Sequence, residues 1–261
     1  MNLLKELHIF IESILYWICS FIVASFFFFI FGIEKTILWG KSYYLPLPSE
    51  NSFSVQIFNK ISHDLLPSGV ELIATNPMSG FVAQMYLSLL LGFLFTIPYF
   101  IYKMVAYLHP ALLPREKRAV FWSLFPFVIL FFSGCLFSYL YLIPATFRIL
   151  YPFATVMGVT PFFSLDEFIQ YVLGICVAVG LMFLLPLFMI LLSFLNIIKA
   201  EFWIQKWRFA LLFFLALSAI ITPDGTGITM VMLFVPLVAL YFAGCFFAKK
   251  TGEAELIKKV E

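Results

Sequence analysis

Residues 168–194 read FIQYVLGICVAVGLMFLLPLFMILLSF. The stretch holds no Asp, Glu, Lys, Arg or His. At about 1.5 Å per residue, a helix of that length exceeds the ~30 Å hydrocarbon core of a bilayer. No soluble fold needs such a run. Moving outward, comparable runs occupy about 13–33, 81–102, 120–144, 209–222 and 228–248. The run at 209–222 is short, about 21 Å as a helix, so the bilayer thins there or the helix leans on protein. The chain is 63% hydrophobic and 11% charged, against about 45–50% and 25% in soluble domains. An all-α polytopic membrane protein with six transmembrane helices is expected.

Lys5 ahead of the first run gives it the look of a secretion signal. The run is longer than the 7–15 apolar residues of a signal core, so it reads as a retained span. Basic residues set the orientation. With the N-terminus cytoplasmic, twelve of the sixteen Lys and Arg fall inside, from Lys5 through the Arg115–Arg118 group to Lys259, and Lys35, Lys41, Lys60 and Arg148 fall outside. Six spans with both termini cytoplasmic follow. Between the first two spans lies an outer amphipathic loop, 34–80. Within it Phe53, Val55, Ile57, Phe58, Ile61, Leu65 and Leu66 have helical spacing. Nothing divides the chain, so 1–261 reads as one domain with a cytoplasmic tail at 249–261.

The span interiors carry no Asp, Glu, Lys, Arg or His. Ion-coupled transporters and proton relays place such groups at mid-depth, so this subunit lacks the stepping stones. There is no GxxxxGK[ST] phosphate loop and no HExxH, so no enzyme is expected. The four cysteines show no paired spacing and the three histidines are scattered, so no metal or other cofactor is expected. Asp166 and Glu167 are adjacent, about 100° apart on a helix, and read as the acidic start of a span capped by Ser164 rather than an acid–base pair. A small-molecule transporter, the alternative from another class, would need a central polar site at broken helices. A lipid-modifying enzyme would need an interfacial His or Asp cluster that is not seen. Pro98, Pro126, Pro144, Pro186 and Pro236 lie in or at the ends of spans and would bend them. Together they point to a curved, concave helix bundle.

The polar information therefore sits at the surfaces. The stretch Leu72-Ile-Ala-Thr-Asn76, Phe81, Pro98-Tyr-Phe-Ile-Tyr-Lys103, Ala106-Tyr-Leu-His-Pro-Ala-Leu112 and Arg115-Glu-Lys-Arg118 resembles the TatC family of the twin-arginine protein translocase. The resemblance continues through Ser133-Gly134, Phe137, Tyr139 and Pro144, then Gly180 with Pro186, then Thr222-Pro223-Asp224, and Pro236. It implies a receptor and scaffold for twin-arginine signal peptides of folded proteins, driven by the proton motive force. Its implied partners are TatA-like and TatB-like single-span subunits in an oligomeric complex, with membrane lipid and no nucleic acid. The implied location is the bacterial inner membrane. Glu116 matches the family's inner-loop glutamate, and Glu6 the glutamate of its N-terminal motif. His8 stands where the family has an arginine. Tyr107 matches an aromatic position and could offer a cation–π face to an arginine. A one-residue insertion would put His8 and Glu12 in the N-terminal motif instead; Glu6 is preferred. Paired guanidinium forks suit carboxylate acceptors, which separate Arg from Lys by bidentate geometry.

There are departures. Leu184, two residues before Pro186, stands where the family has Glu or Gln, a position associated with seating a single-span partner. Asp224 is followed by Gly225-Thr226-Gly227, which displaces the family's outer acid. Phe242 replaces a common glutamate. Leu184, Pro186 and Asp224 are the candidate partner contacts.

Overall fold

The computed structural model describes residues 3–38, 41–49, 51–66, 70–108, 114–158, 162–194, 197–222 and 227–260. At 3–7, 9, 34–38, 41–44, 71, 104–108, 114–124, 155 and 251–260 only the backbone is described. Five helical stretches are long and apolar enough to cross a membrane: Phe10–Ile30, Ser79–Lys103, Phe125–Ala154, Leu165–Phe194 and Ile228–Lys250. A shorter apolar helix spans Trp207–Ile221. The residues divide into two compact units, one of 1–112 with 158–173 and the other of 113–157 with 174–261.

In the first unit, α1 (Leu3–Ile30) packs along α3 (Ser79–Leu108). The approach is close because small residues meet. A Cβ added at Gly92 would lie 2.2 Å from Ser25 Oγ and 2.9 Å from the Ser25 backbone nitrogen. Ser25 turns its own hydroxyl back to the Phe21 carbonyl, 2.8 Å away. Such contacts are how helices associate where lipid removes the hydrophobic drive. Trp17 packs beside Phe100, 4.5 Å between ring centres.

The helix α1 ends at Ile30, and the chain enters an antiparallel hairpin of β1 (Phe31–Leu38) and β2 (Lys41–Pro48). The register runs from Phe31 opposite Pro48 to Leu38 opposite Lys41. The first apolar run, expected to reach Ile33 as helix, thus changes conformation three residues earlier. The cause is local. Gly32 lies so close to the next segment that a Cβ there would fall 2.1 Å from the Asn51 carbonyl oxygen. The Ser49 amide, 3.2 Å away, satisfies the Ile30 carbonyl, one of those a helix end leaves without a partner.

Next comes α2 (Phe53–Leu65), which buries Ser54, Ile61 and Leu65 and lies against α3. The stretch 34–80 therefore carries a hairpin as well as a helix. A third strand, β3 (Glu71–Ile73), pairs in parallel with β4 (Phe162–Ser164). Thr75 Oγ1 and Ser164 Oγ lie 3.1 Å apart beside that pair.

The second unit begins with α4 (Pro114–Phe137), which passes without a break into a π-helical turn, Ser138–Leu142, and then α5 (Ile143–Val156). The third span thus runs beyond Pro144. The wider turn accommodates the proline: the Ile143 amide reaches back to the Ser138 carbonyl, and Pro144, which has no N–H to give, follows at once. Gly158, at φ 73°, adopts the left-handed conformation just after α5.

The fourth span is α6 (Leu165–Phe183) followed by α7 (Leu185–Phe194). Among its residues in the second unit, Gly180 faces Gly134 of α4: a Cβ at Gly134 would lie 2.9 Å from Gly180 Cα and 2.9 Å from the Val179 carbonyl oxygen. Beside this crossing Cys135 Sγ contacts the Cys176 carbonyl at 3.3 Å, and Ser138 Oγ contacts Cys176 Sγ at 3.3 Å. A short α8 (Ala200–Gln205) leads to α9 (Trp207–Ile221) and α10 (Ile228–Val260). Gly244 of α10 rests on Pro186 of α7, where a Cβ would come within 3.1 Å of Pro186 Cα.

Candidate functional site

Polar groups in these apolar helices fall into a few places, each built by local packing. On α1, His8 and Glu12 are one turn apart, with His8 Nδ1 3.9 Å from Glu12 Oε2; the side chains are 80% and 49% exposed. An exposed pair of this kind adds little to stability and leaves the carboxylate accessible. Tyr16, a further turn along, lies beneath the Lys103 ammonium of α3, 5.1 Å from the ring centre. Tyr99 lies beneath the same ammonium at 5.5 Å. The cation is thus held between two aromatic faces at one end of the α1–α3 pair.

Glu6 belongs to the same helix α1, and Tyr107 lies one turn beyond Lys103 on α3. Glu116 is the third residue of α4, after Pro114 at the first helical position. Proline suits that position because its missing N–H would have no helical partner there. The side chains of Glu6, Tyr107 and Glu116 lie outside the described residues, as does the whole of Asp224. Of the four expected signal-binding residues, the structure gives a side-chain position for His8, and that side chain faces Glu12.

Leu184 sits at the break between α6 and α7. Its amide reaches the Leu181 carbonyl at 3.2 Å, and its own carbonyl accepts from Leu187 at 3.0 Å and Phe188 at 3.1 Å. Pro186 prevents an unbroken helix here, since it cannot donate to the Met182 carbonyl. Leu184 is 2% exposed and Pro186 is buried. The two expected partner contacts that are described therefore lie inside the protein.

One polar cluster escaped the sequence reading of sites. Gln84 of α3 donates to the Phe29 carbonyl at 3.2 Å and to Ser52 Oγ at 3.0 Å. Ser52 and Ser54 share a hydrogen bond of 2.8 Å, and both are fully buried. Gln56 adds bonds to the Ile33 and Asn51 carbonyls, at 3.1 and 2.9 Å. The cluster satisfies a carbonyl from the last turn of α1 and ties the hairpin to α2, a structural duty. Its sign in the sequence was Gln84, a polar residue near the end of an apolar run. Among the described residues no group of three or more His, Cys, Asp or Glu could hold a metal ion.

The family model described as "Sec-independent protein translocase protein (TatC)" matches residues 3–236. The TatC protein of Cenarchaeum symbiosum is 37% identical over 226 residues, 86% of this chain and 86% of that protein. That of Aquifex aeolicus is 30% identical over 200 residues, 76% of this chain and 82% of that protein. A crystal structure described as "Twin Arginine Translocase Receptor- TatC" superposes with a TM-score of 0.73 at 26% identity, covering 94% of this chain and 99% of that one.

Proposed function

The chain belongs to the TatC family of Sec-independent protein translocase proteins, and on that premise we propose that it is the twin-arginine signal-peptide receptor and core scaffold of such a translocase. As a family member it is a multi-pass membrane protein of the Tat translocase with a role in protein transport. The finer reading rests above all on one observation: nearly the whole chain superposes on a crystal structure that bears the description of receptor.

In this reading the short helix Trp207–Ile221 is the fifth of six spans, and both termini are cytoplasmic, as the basic residues indicate. Glu6 and Glu116 accept the two guanidinium groups, and Tyr107 offers an aromatic face. The subunit itself performs no chemical transformation. TatA-like and TatB-like single-span subunits join it in an oligomer, and the proton motive force supplies the work. The membrane is a plasma membrane, the bacterial inner membrane by the sequence reading. In the described spans Asp, Glu, Lys, Arg and His lie within a few residues of the ends, Arg148 being six residues before the end of Phe125–Ala154, which fits a scaffold that leaves proton passage to other components.

Glu6 and Glu116 are tested by the Glu6→Ala/Glu116→Ala double variant in cells that report export of a folded twin-arginine substrate. Loss of export with unchanged membrane levels of the protein is expected. Undiminished export would show that these carboxylates are not the receptor groups.

A further inference from the structure

An apolar groove of about 640 Å³ opens in the second unit between α7, α8, α9 and α10. Phe188, Trp203, Phe209, Phe213 and Tyr241 are among the side chains that form its walls, and Lys206 stands at its edge. The polar atoms of the wall are already satisfied. Trp203 Nε1 donates to Ser193 Oγ at 3.0 Å, and the Tyr241 hydroxyl donates to the Trp203 carbonyl at 2.5 Å. The wall therefore presents hydrocarbon surface to an occupant. Phe209 and Phe213, one turn apart on α9, are 68% and 56% exposed, so the groove is open from the side.

Lys206 differs in kind. It separates α8 from α9 and is exposed, with its ammonium 5.5 Å from the Phe209 ring centre. Among the described residues no carboxylate pairs with it. Arg208 lies two residues on, its guanidinium 5.5 Å from the Trp207 ring centre. Two cations flanked by Trp203 and Trp207, at the start of a helix that is apolar from Phe209 to Leu217, mark the headgroup level of a bilayer. An uncompensated cation at the mouth of a hydrocarbon-lined groove is complementary to an anionic amphiphile. Basic pockets between membrane helices bind acidic lipid headgroups for the same reason.

We propose that this groove is a binding site for one anionic phospholipid, its acyl chain along Phe209 and Phe213 and its phosphate on the Lys206 ammonium. The site lies within one unit of the fold and does not depend on the signal-peptide reading.

The experiment uses the full chain in vesicles of phosphatidylcholine with a minor share of phosphatidylglycerol. A trace of either lipid carries the same photoreactive acyl chain, and labelled peptides are located by mass spectrometry. The peptides containing Phe188 and Phe209–Phe213 should take up about fivefold more phosphatidylglycerol than phosphatidylcholine label, the preference of about one basic residue at the surface. Lys206→Gln should erase the preference and Lys206→Arg keep it. Ala210→Phe, which fills the groove, should remove label of both kinds from these peptides, and it supplies the test if Lys206→Gln does not fold. Excess inorganic phosphate should not compete. Equal labelling by the two lipids, a preference that survives Lys206→Gln, or competition by free phosphate would overturn the proposal. Displacement of the label by an added apolar single-span helix would assign the groove to a protein partner and overturn it equally.

Discussion

The crossing of α4 and α6 at Gly134 makes a demand that one methyl group can test. A Cβ at Gly134 would lie 2.9 Å from Gly180 Cα, 2.9 Å from the Val179 carbonyl oxygen and 2.9 Å from Phe183 Cγ. Unstrained carbon contacts lie at about 3.5–4.0 Å, so the shortfall is about 0.6–1 Å. Two of the three atoms are backbone, and no rotamer change relieves them. In Gly134→Ala the helices must part, at the ~1–3 kcal/mol typical of overpacking. Alanine returns up to about 1 kcal/mol through its better helix propensity. The net expectation is a loss of about 1 kcal/mol, rising to about 3 kcal/mol where the propensity gain is small.

Gly174→Ala on the same α6 is the control, because nothing lies within 4 Å of a Cβ there. It should leave stability unchanged or raise it by up to about 1 kcal/mol. The assay is reversible unfolding in mixed micelles with rising dodecyl sulfate, followed by tryptophan fluorescence. Gly134→Ala at least as stable as the parent would refute the reasoning. So would equal destabilisation by Gly174→Ala, since the contact would then not be what distinguishes them.

Other consequences are as direct. Gln84→Leu removes two hydrogen bonds, to Phe29 and Ser52; at ~0.6 kcal/mol each within a membrane it should cost about 1 kcal/mol. Its signature should be faster amide exchange at the end of α1, and unaltered exchange there would contradict the role assigned to this cluster. Tyr241→Phe deletes the hydrogen bond to the Trp203 carbonyl and should cost about 1 kcal/mol, measured by the same micelle titration. No change would mean the hydroxyl is equally well served by lipid headgroups or water. Gly32→Ala places a Cβ 2.1 Å from the Asn51 carbonyl oxygen, so it should displace β1 from α2 and expose the hairpin to protease. Unchanged resistance to proteolysis would count against that close approach.

The helical, membrane-spanning class was legible because lipid imposes a simple rule: long apolar runs must satisfy their own backbone groups as helices. What the runs do not encode is where a helix stops inside hydrocarbon-compatible sequence. Phe31-Gly32-Ile33 is as apolar as the Phe-rich stretch before it, yet it belongs to β1, because Gly32 meets Asn51. The strands β3 and β4 are three residues each and far apart in sequence, with no periodicity long enough to detect. Pro144 looked like a terminus, but the π-helical turn before it carries the helix onward to Val156. In the fourth span Pro186 was visible in the sequence, and the break falls where it predicts.

The candidate site residues were named in the sequence through a family resemblance, not through geometry. Glu6, Tyr107 and Glu116 are placed by their helices, and His8 by its contact with Glu12. The groove beside Lys206 was invisible in sequence because its wall combines residues of four helices spread from Leu185 to Tyr241.

The most direct measurement of the receptor claim places a photoreactive amino acid beside Glu116 in the full-length protein, in its membrane. It then offers a signal peptide with Arg-Arg or with Lys-Lys, otherwise identical. Carboxylates that recognise guanidinium forks predict strong crosslinking to the Arg-Arg peptide and little to the Lys-Lys peptide. Equal labelling by the two peptides would contradict the account.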